Sequence, residues 1–162
     1  MNERRFWIAV IVVFVVAFAY ELLLHGLFLS DLYKPYTPGT EYNAYAVYNP
    51  MLFQPASGSG RSHLWAFYLA KHVAQFLFAL FFTYIFIRGV EGKGWLAEGF
   101  RYGVMVWGLA ILPSNVGMYS WSQFPPGILM RWIIYGLIEC VILGWVCAAL
   151  YKEDLAGNNK KG

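Results

Sequence analysis

Residues 6–29 read FWIAVIVVFVVAFAYELLLHGLFL, an apolar run long enough to cross the roughly 30 Å hydrocarbon core of a bilayer as a helix. Two ionisable residues break it, Glu21 and His25. Four positions apart, they stack on one face of a helix. An ionisable side chain held in hydrocarbon costs about 2.5 kcal/mol or more, so that face must meet protein, water or a ligand. The run therefore predicts a membrane helix with a polar inner side.

The rest of the chain repeats the pattern. Of 162 residues, 59% are hydrophobic and 13% charged, and the mean hydropathy is +0.49, which places the chain in the membrane class. Spanning runs recur at about 6–30, 64–88, 96–119 and 127–151. They predict an all-α membrane protein: four transmembrane helices in an antiparallel bundle forming a single membrane domain, with no room for a soluble domain of ordinary size. Seven Trp, twelve Tyr and thirteen Phe suit aromatic belts at two interfaces. Arg4, Arg5, Arg88, Lys93, Arg101, Lys152, Lys160 and Lys161 fall on one side of this arrangement, against Lys34 and Arg61 on the other. The positive-inside rule then puts both termini in the cytoplasm. Ala17-Phe18-Ala19 imitates a signal-peptide cleavage site, but the apolar run continues to Leu29, where a mature soluble start would be polar.

Between the first two runs, residues 31–63 form the one long connection, extracytoplasmic on this topology. Tyr33, Tyr36, Tyr42, Tyr45 and Tyr48 alternate with Pro35, Pro38, Pro50 and Pro55, a composition for turns and extended pieces that is expected to lie across the bundle mouth, on a partner or among lipid headgroups. The turn 88–101 is glycine-rich and resembles no phosphate-binding loop. Pro113, followed by Ser114 and Asn115, predicts a kink or an end in the third helix near the outer surface. The tail 152–162 is short and polar. Cys140 and Cys147 lie on one helix about 10 Å apart, too far for a disulfide.

Rise per residue sets depth. Entering near Phe6, the first helix carries Glu21 roughly 22 Å along its axis. The second, entering from outside near Trp65, carries Lys71 and His72 roughly 9 to 10 Å deep, with Gln75 one turn further in. The fourth, entering near Ile128, carries Arg131 at roughly 5 Å and Glu139 at roughly 16 Å. Buried charges are tolerable only when paired and hydrogen-bonded. The expected polar network, or ligand or ion site, therefore comprises Glu21, His25, Lys71, His72, Gln75, Asn115, Arg131, Tyr135 and Glu139. Small residues recur every four positions at Ala66, Ala70 and Ala74, at Gly99 and Gly103, and at Gly136, Cys140, Gly144 and Ala148. They predict close helix seams.

Glu21, His25, His72 and Glu139 are of the types that bind a metal, and His25 with His72 of the type that holds a haem. Lys71 would repel a metal cation, and no haem-attachment motif is present, so neither cofactor is favoured. No nucleophile elbow, nucleotide loop or paired-cysteine motif points to an enzyme. No basic stripe suits nucleic acid. The expectation is an accessory or scaffolding subunit embedded in lipid, with a membrane-protein partner or further copies of itself. The alternative is a ligand- or ion-binding or transport protein using the Glu21, His25, Lys71, His72 and Glu139 cluster.

ELLLHGLFLSDLY at 21–33 and VEGKGWLAEGFRYG at 90–103, with a glutamate on the fourth helix, resemble a group of small bacterial four-helix inner-membrane proteins of unassigned function. The pattern is carried by His25, Gly26, Asp31, Leu32 and Tyr33, and by Glu98, Gly99, Arg101, Tyr102 and Gly103. The resemblance implies the fold and a bacterial inner membrane, and no activity.

Overall fold

The computed structural model describes residues 3–29, 61–121 and 126–152. Residues 1–2, 30–60, 122–125 and 153–162 lie outside the described residues, and with them the expected tyrosine- and proline-rich loop and the polar tail. Within them the chain is all-helical: α1 (Glu3–Leu23), α2 (Arg61–Arg88), α3 (Trp95–Val106), α4 (Leu112–Trp121) and α5 (Pro126–Leu150). A π-helical turn, Leu24–Phe28, prolongs α1, and another, Trp107–Ile111, joins α3 to α4 in one rod. Three stretches are long and apolar enough to cross a membrane: Glu3–Leu23, Leu69–Arg88 and Pro126–Leu150.

Valine and isoleucine are weak helix formers in water, yet α1 is built of them. Where no water can take up backbone hydrogen bonds, the helix is the conformation that satisfies all of them within one segment. Both faces of α1 are apolar. Ala9, Val10, Val13 and Ala17 are buried, while Trp7, Ile8, Ile11 and Val15 are exposed. On α2 the inward face runs through Gln75, Ala79, Phe82 and Phe86. Ala70 and Ala74 are exposed, so these two members of the small-residue seam expected on α2 face away from the core of the described residues. The face turned inward is instead the one that carries the bulky rings of Phe82 and Phe86.

The other two seams meet each other. A Cβ added to Gly103 would lie 2.5 Å from the carbonyl oxygen of Cys140 and 2.6 Å from the Val141 Cα. One added to Gly99 would lie 2.8 Å from the Gly144 oxygen, and one added to Gly144 would overlap the Gly99 oxygen. Helices in lipid gain little from burying apolar surface, since the solvent is equally apolar, so close backbone packing must hold them. This contact supplies it for α3 and α5.

Pro113 does not end its helix, as the expectation allowed. The π turn ahead of it widens the spiral, with the Leu112 N–H donating to the Trp107 oxygen five residues back. The helix then continues as α4 to Trp121. A proline lacks an N–H and crowds the preceding turn, and a wider turn accommodates both defects.

Contacts fix which ends lie together. Arg5 donates from Nε and Nη2 to the Leu150 oxygen at 3.0 and 2.6 Å, so the start of α1 caps the carbonyl end of α5. Tyr102 donates its hydroxyl to the Phe82 oxygen at 2.6 Å, and its ring meets Phe82 and Phe86 edge-on with centroids 4.8 and 5.1 Å away. At this end a core forms around Ala9, Val13, Ala79, Phe82, Phe86, Tyr102, Leu143 and Cys147. A smaller cluster of Leu24, Leu29 and Ile128 forms at the other.

Gly103→Ala should lower stability by about 1–3 kcal/mol, because the atoms in the way are backbone and cannot rotate aside. At Gly117 nothing lies within 4 Å of the added Cβ. Gly117→Ala should be neutral or stabilising by up to about 1 kcal/mol through helix propensity. Thermal unfolding of the two variants in one detergent checks the contrast, and equal losses would show that the seam is not what holds α3 to α5.

Candidate functional site

Between the two apolar clusters, α1, α2 and α5 meet at a polar layer. Glu21 of α1 and Lys71 of α2 form an ion pair, with Lys71 Nζ 2.8 Å from Glu21 Oε2. Their side chains are 29% and 38% exposed. The contact is one of charge alone, because Oε2 accepts no hydrogen bond of regular geometry. Next to Glu21, Tyr20 donates its hydroxyl to the Tyr135 oxygen at 2.8 Å, which joins α1 to α5 at the same level.

Glu139 of α5 lies within electrostatic reach of both Glu21 and Lys71. No hydrogen bond or ion pair reaches its carboxyl among the described residues. Gln75, one turn beyond Lys71 on the inward face of α2, is only 8% exposed. Neither its Oε1 nor its Nε2 has a hydrogen-bond partner among the described residues. His25 sits in the π turn that prolongs α1, half-buried and within reach of the Glu21 and Lys71 charges. His72 is half-buried, with its ring 5.5 Å from that of Phe18.

The expected cluster thus divides. Glu21 and Lys71 lie within electrostatic range of His25 on one side and of Glu139 on the other, and Tyr135 joins through its carbonyl. Arg131 is exposed, because its position on α5 turns away from the other helices. Asn115 spends its amide on the Ile111 oxygen of its own rod, at 2.8 Å. Both therefore stand apart from the layer. Among the described residues no three His, Cys, Asp or Glu side chains converge as a metal would require.

A second polar assembly closes the turn between α2 and α3, where the expected site had no member. Glu98, with its side chain 1% exposed, accepts the backbone N–H of Glu91 at 2.8 Å and of Lys93 at 2.9 Å on Oε1. Its Oε2 accepts Arg101 Nη2 at 2.9 Å. Arg101 reaches on to the Gly89 oxygen and to Glu91 Oε1. Gly92, with φ of 78°, makes the bend in this turn, a conformation that side chains other than glycine resist. The signal was legible as Glu-Gly-x-Arg-Tyr-Gly at the start of a helix, behind a glycine-rich turn. Each of those residues has a contact: Glu98 and Arg101 hold the turn, Gly99 and Gly103 form the seam, and Tyr102 ties α3 to α2.

Set against models of known families, curated proteins and solved structures, the chain matches none.

Glu21→Gln should destabilise the protein by stranding Lys71, though by less than the ~3–5 kcal/mol of a fully buried pair, since both partners are partly exposed. Combining it with Lys71→Met should recover much of the loss, and a double-mutant cycle of unfolding temperatures measures the coupling. Strictly additive losses would mean that the pair is not energetically coupled. Glu98→Ala leaves two backbone N–H groups without their acceptor and takes from Arg101 one of its two carboxylate partners, and should cost about 3 kcal/mol or more. The same assay reads it.

Proposed function

We infer that the protein is a small integral membrane subunit with an accessory or scaffolding role. In this reading four transmembrane helices form an antiparallel bundle in a bacterial inner membrane, with both termini cytoplasmic, and the outward face of α2 receives a helix of a partner membrane protein. The observation that carries the reading is that face itself. Ala70 and Ala74 lie one turn apart and exposed, the spacing at which a second helix approaches closely in lipid. The Glu21–Lys71 pair, beside them and about a third exposed, needs cover that hydrocarbon does not provide.

The topology has its own support. Arg5 at the start of α1, Arg101 at the α2–α3 turn and Lys152 over the Trp95 ring gather at one end, as the positive-inside rule asks of a cytoplasmic side. The α3–α4 rod is the fourth span in this reading, its proline accommodated by the π turn and its glycines packed on α5. The resemblance to small bacterial four-helix membrane proteins agrees with the compartment.

Cysteine labelling of intact cells tests the topology. Ser57→Cys should react from outside and Lys160→Cys only after the membrane is opened; reaction of both from one side would end the four-span reading. Cross-linking tests the role. Ala74→Cys should be captured in a defined product with a second membrane protein, recovered in stoichiometric amount by gentle detergent purification, while the buried position Ala79→Cys should not. A product containing this chain alone from both variants would remove the scaffolding role.

A further inference from the structure

The cations at the end that holds the α2–α3 turn divide into those that are engaged and those that are not. Arg5 is spent on the Leu150 oxygen and the Tyr151 ring. Lys93 and Arg101 are matched by Glu91 and Glu98, and Lys152 lies over the Trp95 ring. Arg4 and Arg88 are exposed, and among the described residues no carboxylate pairs with either. The Tyr84 ring, 5.4 Å from Arg88 Cζ, covers one face of that guanidinium and leaves the N–H groups on its edge free.

Helix pairing brings these two arginines to one level. α1 and α2 run antiparallel: the Phe14 ring meets Phe76, the Phe18 ring meets His72, and Glu21 meets Lys71. Arg4 precedes Phe14 by ten residues and Arg88 follows Phe76 by twelve, steps that differ by about 3 Å along the helix axes. Each arginine also ends an exposed apolar stripe. On α1 the stripe is Val15, Ile11 and Ile8, and on α2 it is Leu77, Phe81 and Tyr84. Both stripes reach their arginine in steps of four, three and four residues, the spacing that keeps side chains on one helix face. From Val15 to Arg4, as from Leu77 to Arg88, the rise is about 16 Å, close to half of a hydrocarbon core of about 30 Å. Each stripe is thus one leaflet deep, with a cation at headgroup level.

That is the outline of a phospholipid, and the sign of its headgroup follows. Two unneutralised guanidiniums at one level repel each other. A phosphodiester between them relieves the repulsion and accepts paired N–H bonds in the geometry a guanidinium favours. A zwitterionic lipid carries its own cation beside the phosphate and cancels less of the charge. Glu3, the carboxylate nearest in sequence to Arg4, faces about 100° away around α1.

We propose that the exposed side of the α1–α2 pair binds an anionic phospholipid, with its phosphate held by Arg4 and Arg88 and its acyl chains laid along Ile8, Ile11, Phe81 and Leu77. The site rests on the reading of α1 and α2 as membrane spans and is separate from the scaffolding role. A partner helix crossing α2 at Ala70 and Ala74 at the roughly 40° of small-residue contacts diverges from it and leaves this half to lipid.

Lipid retention by the purified full chain tests it. Protein in a mild neutral detergent is equilibrated with equal amounts of phosphatidylglycerol and phosphatidylcholine, and the lipid that stays bound is measured by native mass spectrometry. The unmodified protein should retain phosphatidylglycerol in preference. Arg4→Gln and Arg88→Gln should each weaken its binding about fivefold, and the two together about 25-fold. Lys152→Gln removes the same charge from the same end and should leave binding unchanged. If the double variant does not fold, the single variants decide. Equal retention of the two lipids would overturn the proposal. So would a loss in Lys152→Gln as large as in Arg88→Gln, which would mean diffuse surface charge, or displacement of the lipid by soluble glycerol phosphate, which would make the site one for a free anion. Cysteine labelling reads the topology in cells and retention is read on purified protein, so failure of the one and failure of the other are distinguishable.

Discussion

Backbone lies directly on backbone where Gly99 and Gly103 meet Gly144 and Cys140. In water, a helix pair with so little side chain between its members would give up most of its apolar burial. In hydrocarbon that loss is small, and the close approach gains dispersion contacts that lipid tails cannot match. The rest of the arrangement hangs on this contact. It fixes the rotation of α3, and the stripe beside the glycines then has only one direction to face. Glu98 is carried to the turn between α2 and α3, and Tyr102 is carried to the Phe82 carbonyl and the Phe86 ring.

Polar groups are treated in two different ways along the length of the molecule. At the end holding the α2–α3 turn, cations and carboxylates are matched to backbone. Arg5 takes the Leu150 oxygen, Arg101 the Gly89 oxygen, and Glu98 two N–H groups. Aromatic donors tie the helices together by the same principle. Tyr20 bonds the Tyr135 oxygen, Trp107 the Ile133 oxygen at 2.9 Å, and Trp145 the Leu96 oxygen at 3.1 Å. A helix carbonyl keeps a second lone pair, so it accepts these bonds without giving up its own. The layer around Glu139 lacks this economy. Its ion pair is about a third exposed, and Gln75 is buried without a hydrogen-bond partner among the described residues. Among the described residues, the polar groups at one end are matched closely, and in the middle an amide and a carboxyl are not.

The two π turns fall where the chain has to change register. Trp107–Ile111 absorbs Pro113, and Leu24–Phe28 carries His25 at the level where α1 leaves its apolar stretch. Each inserts an extra residue into the spiral and so rotates everything after it, which is how a single rod can present the glycine seam in one half and a different face in the other.

Much of this was written in the chain. The all-helical class and the long apolar helices follow from hydropathy, because a bilayer leaves the backbone no other inexpensive conformation. Similar depth put Glu21 and Lys71 in one expected network, and the packing of α1 on α2 makes them a direct pair. The glycine spacing on α3 and α5 announced a seam, although the same spacing on α2 announced one that points outward. Spacing says that a close approach is available, and only packing decides which face is used. Tertiary structure alone decided the remainder: Arg131 turns away, Asn115 bonds its own helix, and Glu98, which the sequence marked only as part of a pattern, becomes the buried anchor of a turn. These outcomes depend on helix rotation, which a one-dimensional pattern leaves free and which the backbone contact between α3 and α5 removes.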